Sequence, residues 1–290
     1  MRRSTTFGGT DAGRAVDRRR LGAVLGAELI CAIFLVGGPQ TVPPGPAFAA
    51  PSPAVAASST PSRAVTLPNG RTAQLIDLGA PGGTALLDRI STELPGAADA
   101  VTAFWGPHWA RDVVIVVTGS QEQFAALAGG GTDVAATTTA DRIMFAPGTA
   151  AINAADLRMV LRHELFHYAA RPDTAADAPT WLTEGVADFV ARGVTAQSPA
   201  NTSGAISAAL RGQLPTDAEL AHAGPGRSTA YDRAWSLASY IADTYGADRL
   251  RALYLEACGH GHPDVATAVQ NVLGLQLPAL LTGWRLWHTG

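Results

Sequence analysis

The chain has 290 residues, 47% apolar and 16% charged, the make-up of a folded globular protein rather than a disordered one. Its 21 basic residues are all arginine, set against 24 carboxylates, and they form no basic stripe, which argues against a nucleic-acid binder. Of the two cysteines, Cys31 falls in an apolar N-terminal segment and Cys258 is left alone, so no intramolecular disulfide staples the rest of the chain.

The first twenty residues hold six arginines, and the next eighteen, "LGAVLGAELICAIFLVGG", are apolar apart from Glu28. A basic start, an apolar stretch at Leu29 to Val36 and a small-residue site after Ala47-Phe48-Ala49 describe an export signal over residues 1–49, with the mature chain starting near Ala50. The alternative is an uncleaved membrane anchor with the remainder outside, but Glu28 interrupts a run that needs about 20 apolar residues to span a bilayer. Without residues 1–49 the chain carries 15 Arg against 15 Asp and 6 Glu, a net charge of −6. Residues 50–64 are rich in Pro, Ser and Ala and read as a linker, leaving one domain over residues 65–290.

From Val65, "VTLPNGRTAQLIDL" places a Pro-Asn-Gly turn between two strand-like runs, the pattern of a hairpin. A helix is expected over Ala85 to Phe104, then a buried β-branched strand at Asp112 to Gly119. A short helix capped by Ser120 follows, and a second hairpin pairs Val134 to Thr139 with Arg142 to Ala146. Beyond this point the pattern turns helical. Asn153 is placed to cap a helix over Ala154 to Ala170, with Asp156 reaching back and Pro172 ending it. Thr180 is expected to cap a helix over Trp181 to Arg192 that Gly193 terminates, and three further helices follow, the last near Asp264 to Val272.

The helix after Asn153 contains "RHELFH". Residues four apart share a helix face, so His163 and His167 project together with Glu164 beside them. This is HExxH, two metal-binding imidazoles and a general base, and by composition alone it is expected in about 1 in 250 such chains. Three protein ligands and an open position are what a catalytic zinc needs. Glu184, seventeen residues after His167 on the helix "WLTEGVADFVARG", supplies the third if the two helices pack antiparallel. Asp188, one turn further, can accept the second ring N–H of a ligand histidine and fix its tautomer. The expected cofactor is therefore one Zn2+ per chain.

"RHELFHYAARPDTAADAPTWLTEGVADF" resembles the gluzincin zinc metallopeptidases, the thermolysin-like HExxH…E group, and among them the small peptidase-MA-like domains of exported bacterial proteins. The resemblance places His163, His167 and Glu184 as ligands, Glu164 as base and Asp188 as the partner of a ligand histidine. It implies an α+β, zincin-like fold of two lobes, a small N-terminal sheet lobe and a helical lobe, with the zinc-binding helix between them. It also implies a peptide or protein substrate paired with an edge strand, and a tyrosine or histidine that stabilises the oxyanion. Tyr231, expected to open the helix "AYDRAWSLASYI", and His222, in "ELAHAGPG", are the candidates for that last role.

Two rival readings differ in kind. A di-iron bundle would pair Glu164 and His167 with Glu219 and His222, adding Glu122 and Glu184, but "LPTDAELAHAGPG" is pinned between prolines and too short for a bundle helix. A metal-free binding module that keeps only the fold is the other, and the full set of ligands and base weighs against it.

Overall fold

The structure, a computed structural model, describes residues 62–193, 212–221 and 225–287. The export segment, most of the linker and His222 lie outside the described residues. Strands β1 (Ser62–Thr66) and β2 (Thr72–Asp77) form the first hairpin, in register Thr66 opposite Thr72. The turn between them needs a left-handed residue, and Gly70 fills it with φ 77°. Helix α1 (Gly83–Trp105) then crosses over to β3 (Asp112–Val117), which lies parallel to β2. Ser120 caps α2 (Gln121–Ala128) through the Gln123 N–H, and Gly129 ends it at φ 70°. The second hairpin, β4 (Ala136–Thr138) and β5 (Ile143–Phe145), completes a five-stranded sheet of order β1-β2-β3-β5-β4.

This is a mixed α+β architecture with three parallel central strands and an antiparallel strand at each edge. β4 is the terminal strand of the sheet on one side. Its edge is nevertheless covered: Ala136 and Thr137 are fully buried and Thr138 is 5% exposed. A strand that holds its three residues this deep is not open to a passing peptide in this structure, which departs from the expectation of an accessible edge.

The helical portion begins with α3 (Ala154–Ala170). Asn153 caps it, its Oδ1 accepting the Asp156 N–H at 2.9 Å, while its side-chain amide donates to Asp156 Oδ2 at 2.6 Å. Asp156 thus reaches the cap's side chain. Helix α4 (Thr180–Arg192) starts one residue earlier than the pattern suggested. Pro179, not Thr180, occupies the cap position, because its fixed φ of −60° already suits a helix entry. Gly193 at φ 71° stops α4. Then come α5 (Asp217–Ala221), α6 (Pro225–Tyr245), α7 (Ala247–Cys258), α8 (Val265–Leu273) and α9 (Leu277–Trp287). Cys258 is a free thiol, fully buried among apolar neighbours, which pushes its pKa up and makes it a core residue.

One hydrophobic core joins the sheet through α1 and α3 to α4, α6, α7 and α9, and a smaller cluster lies under α2. Among the described residues, no break in that core marks a boundary between a sheet lobe and a helical lobe. The C-terminal half of α3, from His163 to Ala170, is buried on every side, between α1, α4 and the β4–β5 end of the sheet. Polar groups in such a position must find partners or cost several kcal/mol each, on the order of 2–7 for an unpaired hydroxyl or amide. Among the described residues, no single helix is long and apolar enough to cross a membrane.

Candidate metal centre

His163 and His167 stand on consecutive turns of α3, 2% and 5% exposed. Glu184 faces them from the second turn of α4, 1% exposed. The two Nε2 atoms are 2.9 Å apart, His163 Nε2 is 3.2 Å from Glu184 Oε2, and His167 Nε2 is 3.7 Å from Glu184 Oε1. Among the described residues this is the one cluster of three such side chains whose ligand atoms all lie within 4.8 Å of one another.

The arrangement fits a metal ion on its own chemistry. Ligand atoms at 2.0–2.2 Å from a tetrahedral ion stand about 3.3–3.6 Å apart, and the observed separations of 2.9 to 3.7 Å bracket that span. Glu184 Oε2 is buried and has no hydrogen-bond partner, although an imidazole nitrogen faces it. Burying a carboxylate this way is costly unless a cation meets it.

Asp188 sits one turn beyond Glu184 on α4. Its Oδ1 lies 2.9 Å from His163 Nδ1, so the ring donates that proton to the carboxylate and turns the Nε2 lone pair toward Glu184 and His167. Arg192, a turn further on, donates to Asp188 Oδ2 at 3.1 Å and to Asp232 Oδ1 at 3.3 Å, and its guanidinium lies 4.1 Å from the centre of the Trp235 ring. The electrostatics follow from these contacts. Burial disfavours charge on His163, but the hydrogen bond to Asp188 and the negative charges of Asp188 and Glu184 outweigh it and raise the metal-free imidazole to about 10. Burial likewise works against an ionised Glu184, yet the two histidines hold it down at about 2. Asp188 is kept below the usual carboxylate range against its burial, by Arg192 and His163. The pocket is built for positive charge, which a proton or a divalent cation can supply.

Glu164 is fully buried beside His163. Its Oε2 receives the Thr138 hydroxyl at 2.6 Å, while its Oε1 has no partner. Thr138 was invisible to sequence reasoning, since a lone threonine in "ATTTAD" carries no spacing signal. Gly185 was also missed. A Cβ at that position would stand 2.5 Å from the Ala234 carbonyl oxygen, so only glycine lets α4 and α6 approach this closely beside Glu184.

Tyr231 lies in the second turn of α6, not at its start, because the helix begins at Pro225. Its ring is 7% exposed, with the Arg227 guanidinium 6.0 Å from the ring centre. The second carboxylate set of a di-iron site is not assembled. Glu219 forms a capping box with Thr216 and an ion pair with Arg233 at 2.6 Å, and Glu122 is exposed at the start of α2. His260 and His262 stand apart from this cluster: His260 Nε2 lies 3.2 Å from the Pro172 carbonyl, and His262 lies 2.9 Å from the Pro263 carbonyl through Nδ1 and 3.5 Å from Asp177 Oδ1 through Nε2.

No family model and no curated protein matches this sequence. Solved structures do. One is a two-domain M1 zinc metallopeptidase, a glutamate-to-alanine mutant bound to L-tryptophan, with 18% identity over 78% of this chain and 51% of its own, at a TM-score of 0.50. Another is an M1 zinc metallopeptidase mutant from Deinococcus radiodurans bound to a Tyr-Ser-Ala substrate, with 18% identity over 77% of this chain and 51% of its own, also at 0.50. This chain therefore spans about half the length of the structures it matches. At that identity the likeness is one of fold: the chain is folded like part of these two structures.

Proposed function

We propose that the protein is an exported, zinc-dependent peptidase of the HExxH…E gluzincin type. The observation that carries this reading is the buried triad of His163, His167 and Glu184 with the unpartnered Glu164 Oε1 beside it. A zinc ion held by those three side chains would supply Lewis acidity and a water ionisable near neutral pH.

The residues divide the work. His163 and His167 offer Nε2 lone pairs, and Asp188 keeps the His163 tautomer correct by accepting its Nδ1–H. Glu184 contributes the negative charge that neutral imidazoles lack. Glu164 is adjacent to a ligand without being one; its free Oε1 is the atom that accepts a proton from the attacking water and passes it to the leaving amine. The Tyr231 hydroxyl is the proposed donor to the developing oxyanion, with His222 as its alternative. Burial of every one of the five groups from His163 to Asp188 excludes bulk water and strengthens their electrostatics. The substrate class is a peptide or protein. Because the β4 edge is covered, pairing with that strand is not part of the proposal.

The test is incubation of zinc-loaded protein with a mixed peptide library, followed by sequencing of the products. Discrete cleavage sites that vanish with chelator support the reading. A protein that binds about one zinc per chain yet cleaves nothing is an inert zincin-fold module. Export is proposed from the N-terminal segment: mass spectrometry should find the mature terminus near Ala50, or near Ala57 after Ala54-Val55-Ala56. An intact N-terminus in the membrane fraction would make the segment an anchor.

A further inference from the structure

We infer that Thr138 is the residue that positions Glu164: one hydroxyl, carried in from the last strand of the sheet, sets the orientation of the carboxylate. Thr138 Oγ1 lies 2.6 Å from Glu164 Oε2 and 2.9 Å from the Glu164 backbone carbonyl. Both residues are buried, Glu164 completely and Thr138 to 5% exposure. The hydroxyl has a single proton, and the shorter contact to the charged acceptor is the one that claims it. Oε2 is thereby pinned and Oε1 is left buried without a partner.

Position on α3 cannot do this alone. Being next to His163 puts the Glu164 Cβ beside the ligand pair, but a glutamate has two further staggered torsions, and its terminal carboxylate rotates broadly. A fully buried carboxylate held by one donor is an expensive arrangement, and the donor comes from a different layer of the fold. Threonine suits the task better than serine, because its β-branch stiffens χ1 and so ties the hydroxyl's place to the backbone of β4. The β4–β5 hairpin register, Thr138 opposite Ile143, thus determines where the proposed base points.

The kinetic half of this inference rests on the peptidase reading, and the experiment separates the two. Thr138→Val keeps shape and removes the donor; Thr138→Ser keeps the donor. Thr138→Val should retain its zinc and its KM while kcat falls about 10–100-fold, in line with the cost of misplacing a reacting group, and Thr138→Ser should recover most of it. The second readout needs neither metal nor activity. In chelator-treated protein, Thr138→Val should lower the urea midpoint clearly more in the Glu164 parent than in a Glu164→Ala background, where only the bond to the residue-164 carbonyl remains to be lost, a non-additive pair. Parental kcat in Thr138→Val, or equal midpoint shifts in both backgrounds, overturns the inference while leaving the peptidase reading standing. A protein that cleaves no peptide but shows the non-additive midpoints loses the peptidase reading and keeps the Thr138–Glu164 coupling.

Discussion

The His163 ring and the Asp188 carboxylate meet at 2.9 Å, Nδ1 to Oδ1, and that contact decides which nitrogen of the imidazole is left for a ligand. Arg192 in turn holds the other oxygen of Asp188 at 3.1 Å. Asp188→Asn keeps the size but offers a neutral, ambiguous partner, so the correct tautomer is no longer enforced. Zinc affinity should fall by about 10–100-fold while the circular dichroism stays that of the parent. Competition with a chromophoric chelator measures it, and an unchanged affinity would reduce Asp188 to a partner of Arg192 alone.

Gly185→Ala tests how Glu184 is delivered. The new Cβ would meet the Ala234 carbonyl oxygen at 2.5 Å, so α4 and α6 must separate. A cost of about 1–3 kcal/mol is expected, read as a lower urea midpoint, together with weaker zinc binding because Glu184 moves with its helix. Parental values for both would mean that the helices re-pack without disturbing the triad.

The metal-free protein should show a distinctive pH dependence. His163 is raised from 6.5 to about 10, so its contribution to stability is full below 6.5 and is lost as pH climbs through about 10. Glu184 is lowered from 4.5 to about 2, so its contribution is full above 4.5 and is lost as pH falls through about 2. Urea midpoints in chelator should therefore be highest between the two windows and decline toward pH 10, a decline that His163→Gln removes. A midpoint flat from pH 6.5 to 10 contradicts the ion cluster described above.

Glu164→Gln preserves volume and an acceptor oxygen for Thr138 but removes the basic oxygen. It should keep zinc and fold and lose nearly all hydrolysis, whereas Tyr231→Phe should keep zinc and lose at most about 10³-fold in kcat. Cleavage by Glu164→Gln at the parental rate would sink the assignment of the base.

The helices and strands were largely readable because their signals are local. Asn153 before an apolar run, Gly129 and Gly193 after one, and the Pro-Asn-Gly turn at Gly70 each act through the backbone torsions of a few neighbouring residues. The histidine pair was legible for the same reason, since helix periodicity alone puts His163 and His167 on one face. Glu184 and Asp188 were within reach only because the motif asked for a third ligand and the connecting loop was short enough to return it.

Whatever depends on two distant segments meeting was decided by the tertiary structure. Thr138 and Glu164 are 26 residues apart, and nothing in "TTT" says which hydroxyl will face a carboxylate. Gly185 looks like any helix glycine until the Ala234 carbonyl is set against it. The burial of β4 is likewise invisible in its own three residues, because burial of a strand is a property of every element around it. The sequence by itself determined the donor set and the helix that carries it; the fold decided which oxygen of Glu164 is free, because that choice belongs to a hydrogen bond between layers and not to any local pattern.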